Sequence, residues 1–179
     1  MREPFAHRKA FSYTSYLVIK MILLKFKTEI KGDSKLSQHE GWITLQSINF
    51  STSRPLTAHS GGTDRDTSTP MFTDIACTKE TDVASTELFM QSVCGKSLGE
   101  ATLHFMQTSG DKGDQVYLTV TLAEPIVTSF NFGAGSDMRG SETFTLNFTK
   151  MKMKYTSFDG DKKTEGSEKG WDLTIGKAW

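Results

Sequence analysis

The feature that most constrains this chain is hydrophobic alternation with a period of two, which recurs from Leu24 almost to the C-terminus. Leu24 and Phe26 alternate with Lys25 and Lys27. Ala101, Leu103 and Phe105 alternate with Thr102 and His104, and Val116, Leu118, Val120 and Leu122 alternate with Tyr117, Thr119 and Thr121. Beyond Pro125 the pattern resumes at Ile126, Thr128, Phe130 and Phe132. Successive side chains of a strand point to opposite faces, so each run predicts a strand with one buried face. The turn-rich Ser109 to Asp114 then joins the strand through Leu103 to the strand through Val120 as a hairpin.

Between Glu142 and Phe158 the alternation changes phase. Phe144, Leu146 and Phe148 hold even positions, whereas Met151, Met153 and Tyr155 hold odd ones. A strand cannot change parity without an extra residue, so a bulge or sharp bend is expected near Thr149 and Lys150. Strands that bend in this way pass from one sheet to another or close a barrel. Upstream, Trp42 to Phe50 reads as one strand, with Ile48 and Phe50 facing the core and Asn49 and Ser47 on the opposite face. Trp171, Leu173 and Ile175 read as a last short strand after the polar Phe158 to Gly170 segment.

A single stretch reads as a helix, about Ser85 to Cys94. Ser85 stands in the capping position, Glu87 in the first turn, and Gly95 at the end. Leu88, Phe89 and Val93 would form its apolar face. About ten residues is too short for a stable isolated helix, so that face must dock on the sheets.

At 179 residues, the chain has the size of one domain that buries roughly 70% of its unfolded surface. Residues 1–20 read as an N-terminal extension outside the domain, and residues 21–179 as a single domain. Lys20 interrupts the apolar run of the extension, and no small-residue cleavage site follows, so neither a signal peptide nor a membrane span is expected. The protein is therefore expected to be made and folded in the cytoplasm. Its formal net charge is zero, which gives no field favouring nucleic acid or an anionic membrane. Cys77 and Cys94 are too few for a disulfide framework and lack zinc-site spacing, and both read as small buried hydrophobes.

Candidate chemistry is sparse. Asp33, Ser34 and His39 crowd one turn before Trp42 rather than forming a nucleophile, base and orienting group. His104 falls on the outward face of its strand, as a solvated or interface residue rather than a metal ligand. Asp159 and Asp161 lack the remaining ligands of a calcium loop. Neither catalysis nor a cofactor is expected. The long polar run Ser51 to Pro70 exceeds a simple hairpin and reads as a protruding arm that orders against a partner.

Taken in order, several segments resemble one family. They are Lys31-Gly-Asp-Ser followed by His39-Glu-Gly-Trp-Ile43, then Phe72, Asp74, Asp82, Ser85, Leu88 and Gly95, then Val116 to Ser129, and Ser141 to Thr156. Their sequence of strand patterns is similar to that of Hcp, the tube protein of bacterial type VI secretion systems, over roughly Met21 to Leu173. Asp33 stands where Glu is usual in that family, and Thr86 where a helix-starting Pro is common.

The resemblance implies a mainly β fold: a β-barrel of two packed sheets with one short helix (about Ser85–Cys94) and a long extended loop (about Ser51–Pro70). It further implies homohexameric rings that stack into a tube, driven by a contractile sheath, tipped by a VgrG-type spike protein and able to hold small secreted effectors in the lumen. Export would proceed through the type VI apparatus without a cleaved signal peptide. On this reading Asn49, and Ser47 beside it, line the lumen, while Arg54, Leu56, His59, Asp64 and Arg65 belong to an inter-subunit loop. Two other readings fit the strand pattern: a monomeric barrel or sandwich that binds a small ligand, and a phage-type tail-tube subunit.

Overall fold

The computed structural model describes residues 20–58, 65–108, 113–159 and 162–179. In chain order the strands begin with β1 (Lys20–Phe26), β2 (Ile43–Leu45), β3 (Ser47–Asn49), β4 (Thr52–Ser53), β5 (Leu56–Ala58), β6 (Arg65–Thr67), β7 (Met71–Phe72) and β8 (Ile75–Glu80). The helix α1 (Ser85–Cys94) follows, then β9 (Glu100–Thr108), β10 (Asp114–Ala123), β11 (Ile126–Gly135) and β12 (Met138–Asn147). The C-terminal part holds β13 (Lys150–Asp159), β14 (Lys162–Glu165), β15 (Lys169–Asp172) and β16 (Lys177–Ala178).

These strands form two principal sheets. The larger has eight strands, in the order β16-β15-β13-β10-β9-β1-β2, with β14 paired to the far end of β13. The smaller has four, in the order β11-β12-β8-β3. Strands β9 and β10 pair antiparallel from Thr108 opposite Asp114 to Glu100 opposite Ala123, as the alternation and the turn-rich segment between them require.

The inner faces of the two sheets make one core. Leu24 and Phe26 of β1, Ile43 and Leu45 of β2, Ala101 and Leu103 of β9, and Val120 and Leu122 of β10 meet Ile75 and Cys77 of β8 and Phe144 and Leu146 of β12. Cys77 is fully buried, and burial pushes its thiol up to about 12. Cys94, expected inside, is instead exposed at the end of α1, where the chain leaves the sheet surface.

The phase change in the sequence marks a corner. β12 belongs to the four-stranded sheet and β13 to the eight-stranded one, so the chain crosses between sheets at Phe148 and Thr149. Thr149 holds the crossing by donating its N–H to Ala123 O at 3.1 Å. The expected alternation holds for Met151, which is buried, but fails at Tyr155, which is 58% exposed. There β13 exchanges its partner β15 for β14, and the inward face passes to Thr156.

A second corner replaces the single strand expected over Trp42 to Phe50. β2 pairs with β1 in the large sheet, whereas β3 pairs with β8 in the small one, and Gln46 between them donates its N–H to Thr78 O at 2.8 Å. The parity shift from Ile43 and Leu45 to Ile48 and Phe50 records this turn.

The helix also departs from expectation. Ser85 is its first residue rather than its cap. Asp82 Oδ1 accepts the N–H of Ala84 at 2.8 Å, and Ser85 Oγ accepts the N–H of Asp82 at 2.9 Å, so the helix start is tied reciprocally. Gly95 ends the helix in the left-handed region at φ 61°, as its composition predicts. Only Leu88 of the expected apolar face is buried; Phe89 and Val93 are 50% and 68% exposed.

The last expected strand is a hairpin. Asp172 accepts both the N–H and the hydroxyl of Thr174 on Oδ1 and the Lys150 ammonium on Oδ2, turning the chain back into β16. These contacts, chiefly those of Lys150 and Thr174, hold its carboxyl down at about 2. Ile175 therefore sits in the turn, exposed. The polar segment before Trp171 is likewise no plain tether, since it contains β14 paired with the end of β13.

Candidate assembly interface

The four-stranded sheet presents a surface built from small, uncharged, hydrogen-bonding side chains. Ile75 and Cys77 of β8 and Phe144 and Leu146 of β12 point inward, so the residues between them must face outward. The registers place Ser47, Thr78, Thr143 and Asn131 in one row across the four strands. A second row runs Asn49, Ala76, Thr145 and Ser129. Ser47 and Asn49 are both exposed, on the side expected for them, while Ile48 between them packs against the core.

Hydroxyls on this face contact one another. Thr145 Oγ1 lies 2.6 Å from Ser129 Oγ and 2.7 Å from Thr128 Oγ1. Charge stands only at the ends of the rows: Asp74 accepts bonds from Thr128 and Asn147, and Glu80 accepts one from Gln46.

Both margins of this sheet are unpaired strand edges among the described residues, and they differ. One is the ten-residue β11, the other the three-residue β3. Next to β11 lies an exposed apolar area formed by Phe89, Met90 and Val93 of α1 with Phe132 and Met138 of the β11–β12 hairpin. Phe89 packs on Phe130 with ring centroids 6.1 Å apart. Exposed strand edges are features that monomeric proteins suppress, and several exposed apolar side chains stand near one of them.

Beneath α1 lies a group of charges that sequence reading missed. Lys79 is fully buried, and its ammonium donates to Asp82 Oδ1 at 2.7 Å, Glu142 Oε2 at 2.8 Å and Ser85 Oγ at 3.2 Å. All three ammonium hydrogens are thereby used, and the start of α1 is fastened to β8 and β12. A signal was present: Lys79 shares the inward parity of Ile75 and Cys77, and Glu142 that of Phe144 and Leu146.

The segment Ser51 to Pro70 contains short strands rather than an unstructured loop. β4 pairs with β7 at its base, and β5 pairs with β6 farther out. Strands of two or three residues are too short to show an apolar alternation, which hid them. Leu56 is 57% exposed, and Arg54 stands 6.0 Å from the ring of Trp171 in its own chain. The Arg65 backbone pairs with Ala58, while His59 and Asp64 lie outside the described residues.

The turn before β2 does not assemble a catalytic triad. Ser34 Oγ accepts the N–H of Leu36, and His39 pairs with His104 instead. His39 is buried, and His104 is partly covered rather than solvated. No cluster of three or more metal-ligating side chains occurs among the described residues, nor is any helix there long and apolar enough to cross a membrane.

Comparison with known proteins gives this arrangement a family. Residues 19–155 match the family described as "Type VI secretion system effector, Hcp". Protein hcp1 of Pseudomonas aeruginosa is 30% identical over 103 residues, which is 56% of this chain and 63% of that one, so the match spans less than two thirds of the relative. The structure of a type six secretion system protein superposes with a TM-score of 0.81 at 23% identity, covering 90% of this chain and all of the other. Hcp1 from Salmonella typhimurium superposes at 0.72 and 23% identity, covering 89% and 99%. The family match over most of the chain, together with the shared two-sheet fold, establishes that this chain belongs to the Hcp family of type VI secretion proteins.

Proposed function

We propose that this chain is the structural subunit of a type VI secretion tube, acting by self-assembly rather than catalysis. The observation that carries the reading is the four-stranded sheet with two unlike free edges. Because β11 and β3 lie on opposite margins, joining one protomer's β11 side to the next protomer's β3 side is a head-to-tail contact, which closes into a ring when the rotation permits. Six copies, the number implied by the family, would place the Ser47 and Asn49 rows on a continuous wall. The exposed apolar surface of α1 and the β11–β12 hairpin would be covered at the same contact.

With that wall facing the lumen, Asn49 and Ser47 offer short hydrogen-bonding groups to a small effector without fixed charge. The Ser51–Pro70 arm, with Arg54, Leu56, His59, Asp64 and Arg65, is assigned to contacts between subunits or stacked rings. A contractile sheath and a VgrG-type spike are the remaining partners. The chain is made in the cytoplasm and leaves through the apparatus.

Export tests the reading. The protein should accumulate in culture medium from cells with a working type VI apparatus and stay cell-associated when the sheath is deleted. Equal release from both strains would contradict it.

A further inference from the structure

On the large sheet, the face turned away from the core is not open. Leu23 of β1 and Met106 of β9 point outward by parity, yet they are 1% and 2% exposed. The segment 32–42 lies over this face. Its backbone is folded tightly on itself: Gly32 donates its N–H to Gly41 O at 2.8 Å, Gly41 to Ser34 O at 2.9 Å, Ser34 to Trp42 O at 3.1 Å, and Trp42 to His39 O at 3.2 Å. A Cβ on Gly32 would lie 2.2 Å from Trp42 O, so this fold of the segment requires glycine there.

The side chain of His39 joins this segment to the sheet. His39 Nε2 lies 2.8 Å from His104 Nδ1, and Trp42 packs against both rings, with centroids 4.7 Å from His39 and 4.8 Å from His104. His39 is 5% exposed, and its Nδ1 has no hydrogen-bond partner among the described residues. That orphan atom assigns the tautomers. If His104 were the donor, His39 Nε2 would have to accept and its proton would sit on the buried, unpartnered Nδ1. An unpaired acceptor costs less there than an unpaired donor, so His39 Nε2–H donates to an unprotonated His104 Nδ1.

Protonation of His104 is then unfavourable, because a proton on its Nδ1 removes the acceptor. The surroundings supply no compensating acid, because neither ring makes a hydrogen bond or ion pair to a carboxylate among the described residues. From β1, Lys25 stands 5.8 Å from the Trp42 ring. From β2 and β10, neutral Thr44 and Thr119 flank the row of Leu23 and His104, and Lys154 of β13 comes next, paired with Glu165. The segment itself carries Asp33, Lys35 and Glu40, which are exposed, and Asp114 and Lys163 border the cleft lined by His39 and Met106.

We propose that the hydrogen-bonded His39–His104 pair is a pH-sensitive latch, which keeps the 32–42 segment closed on the large sheet and releases it on protonation of His104, uncovering Leu23 and Met106. The inference rests on this cluster alone and is independent of ring formation. In agreement with it, burial and then the neighbouring His39 lower His104 from 6.5 to about 4. The closed state binds fewer protons than the open one in this range, so closure is fully favoured above about pH 6.5 and is lost as pH falls towards about 4.

Hydrogen exchange measured by mass spectrometry on the full chain tests the latch, with rates corrected for the intrinsic pH dependence of exchange. Protection of peptides covering 32–42 should fall at least about tenfold between pH 7 and pH 4.5, the tenfold-per-unit limit of one linked proton allowing up to ~100-fold. Peptides of β12 should keep their protection. In His104→Asn, whose amide oxygen still accepts from His39, the segment should stay protected at pH 7 and lose most of its acid response. Unchanged protection of 32–42 across this range in the wild-type chain would overturn the proposal, as would an acid response as large in His104→Asn as in wild type.

Discussion

Lys79 shows how much one side chain can hold. Its ammonium sits where a strand alternation predicts an apolar residue, and three acceptors, from β12, the helix start and the connection between β8 and α1, surround it. Removing one partner of such a buried group leaves uncompensated charge, so Lys79→Ala should cost about 3–5 kcal/mol, read as a lowered urea midpoint. A loss below about 1 kcal/mol would show that the cluster is solvated, as exposed pairs are. Asn49 carries the opposite expectation. It is exposed and makes no core contact, so Asn49→Trp should leave folding and oligomer mass unchanged while reducing co-purification of a cognate effector. Retention of the effector by assembled Asn49→Trp would remove this position from the lumen wall. The sequence carried the parity of Asn49 plainly, because Ile48 and Phe50 fix it. It did not carry the meeting of His39 with His104, 65 residues away, since nothing local encodes a contact between a turn and a distant strand.

At the level of elements, long strands were legible and short ones were not. Strands β9 and β10 declare themselves through three and four alternating apolar residues, and the crossing at Phe148 and Thr149 through a break in phase. The same break between Leu45 and Ile48 is visible once two sheets are known, but with three residues on each side it does not stand out from a single strand. Strands β4 to β7 escape because each has only two or three residues, too few to show a period of two.

The helix was placed correctly and its exposed surface was not, because period 3.6 identifies an apolar face without saying what covers it. Leu88 is fully buried, so Leu88→Ala should destabilise the fold by about 2–5 kcal/mol. Val93→Ser should change subunit stability by no more than about 0.5 kcal/mol, and Phe89→Ser, which also gives up the Phe130 ring, by about 0.5–1.5 kcal/mol, yet both should weaken association. Equal oligomer mass in these variants over a dilution series would place the contact elsewhere.

For the whole molecule, physical reading and family membership converge. Two sheets joined by corner strands, with one docked helix, are the fold of the family to which residues 19–155 belong. Strand edges at both margins of the small sheet and the apolar surface beside β11 give the subunit reasons to associate with copies of itself. What matters most is therefore whether assembly is intrinsic to the chain. Sedimentation velocity on the purified protein at micromolar concentration, without effector, sheath or spike, measures this directly. The prediction is a single closed oligomer of about six chains whose mass does not grow with concentration, as ring closure demands. A stable monomer under those conditions would contradict the account.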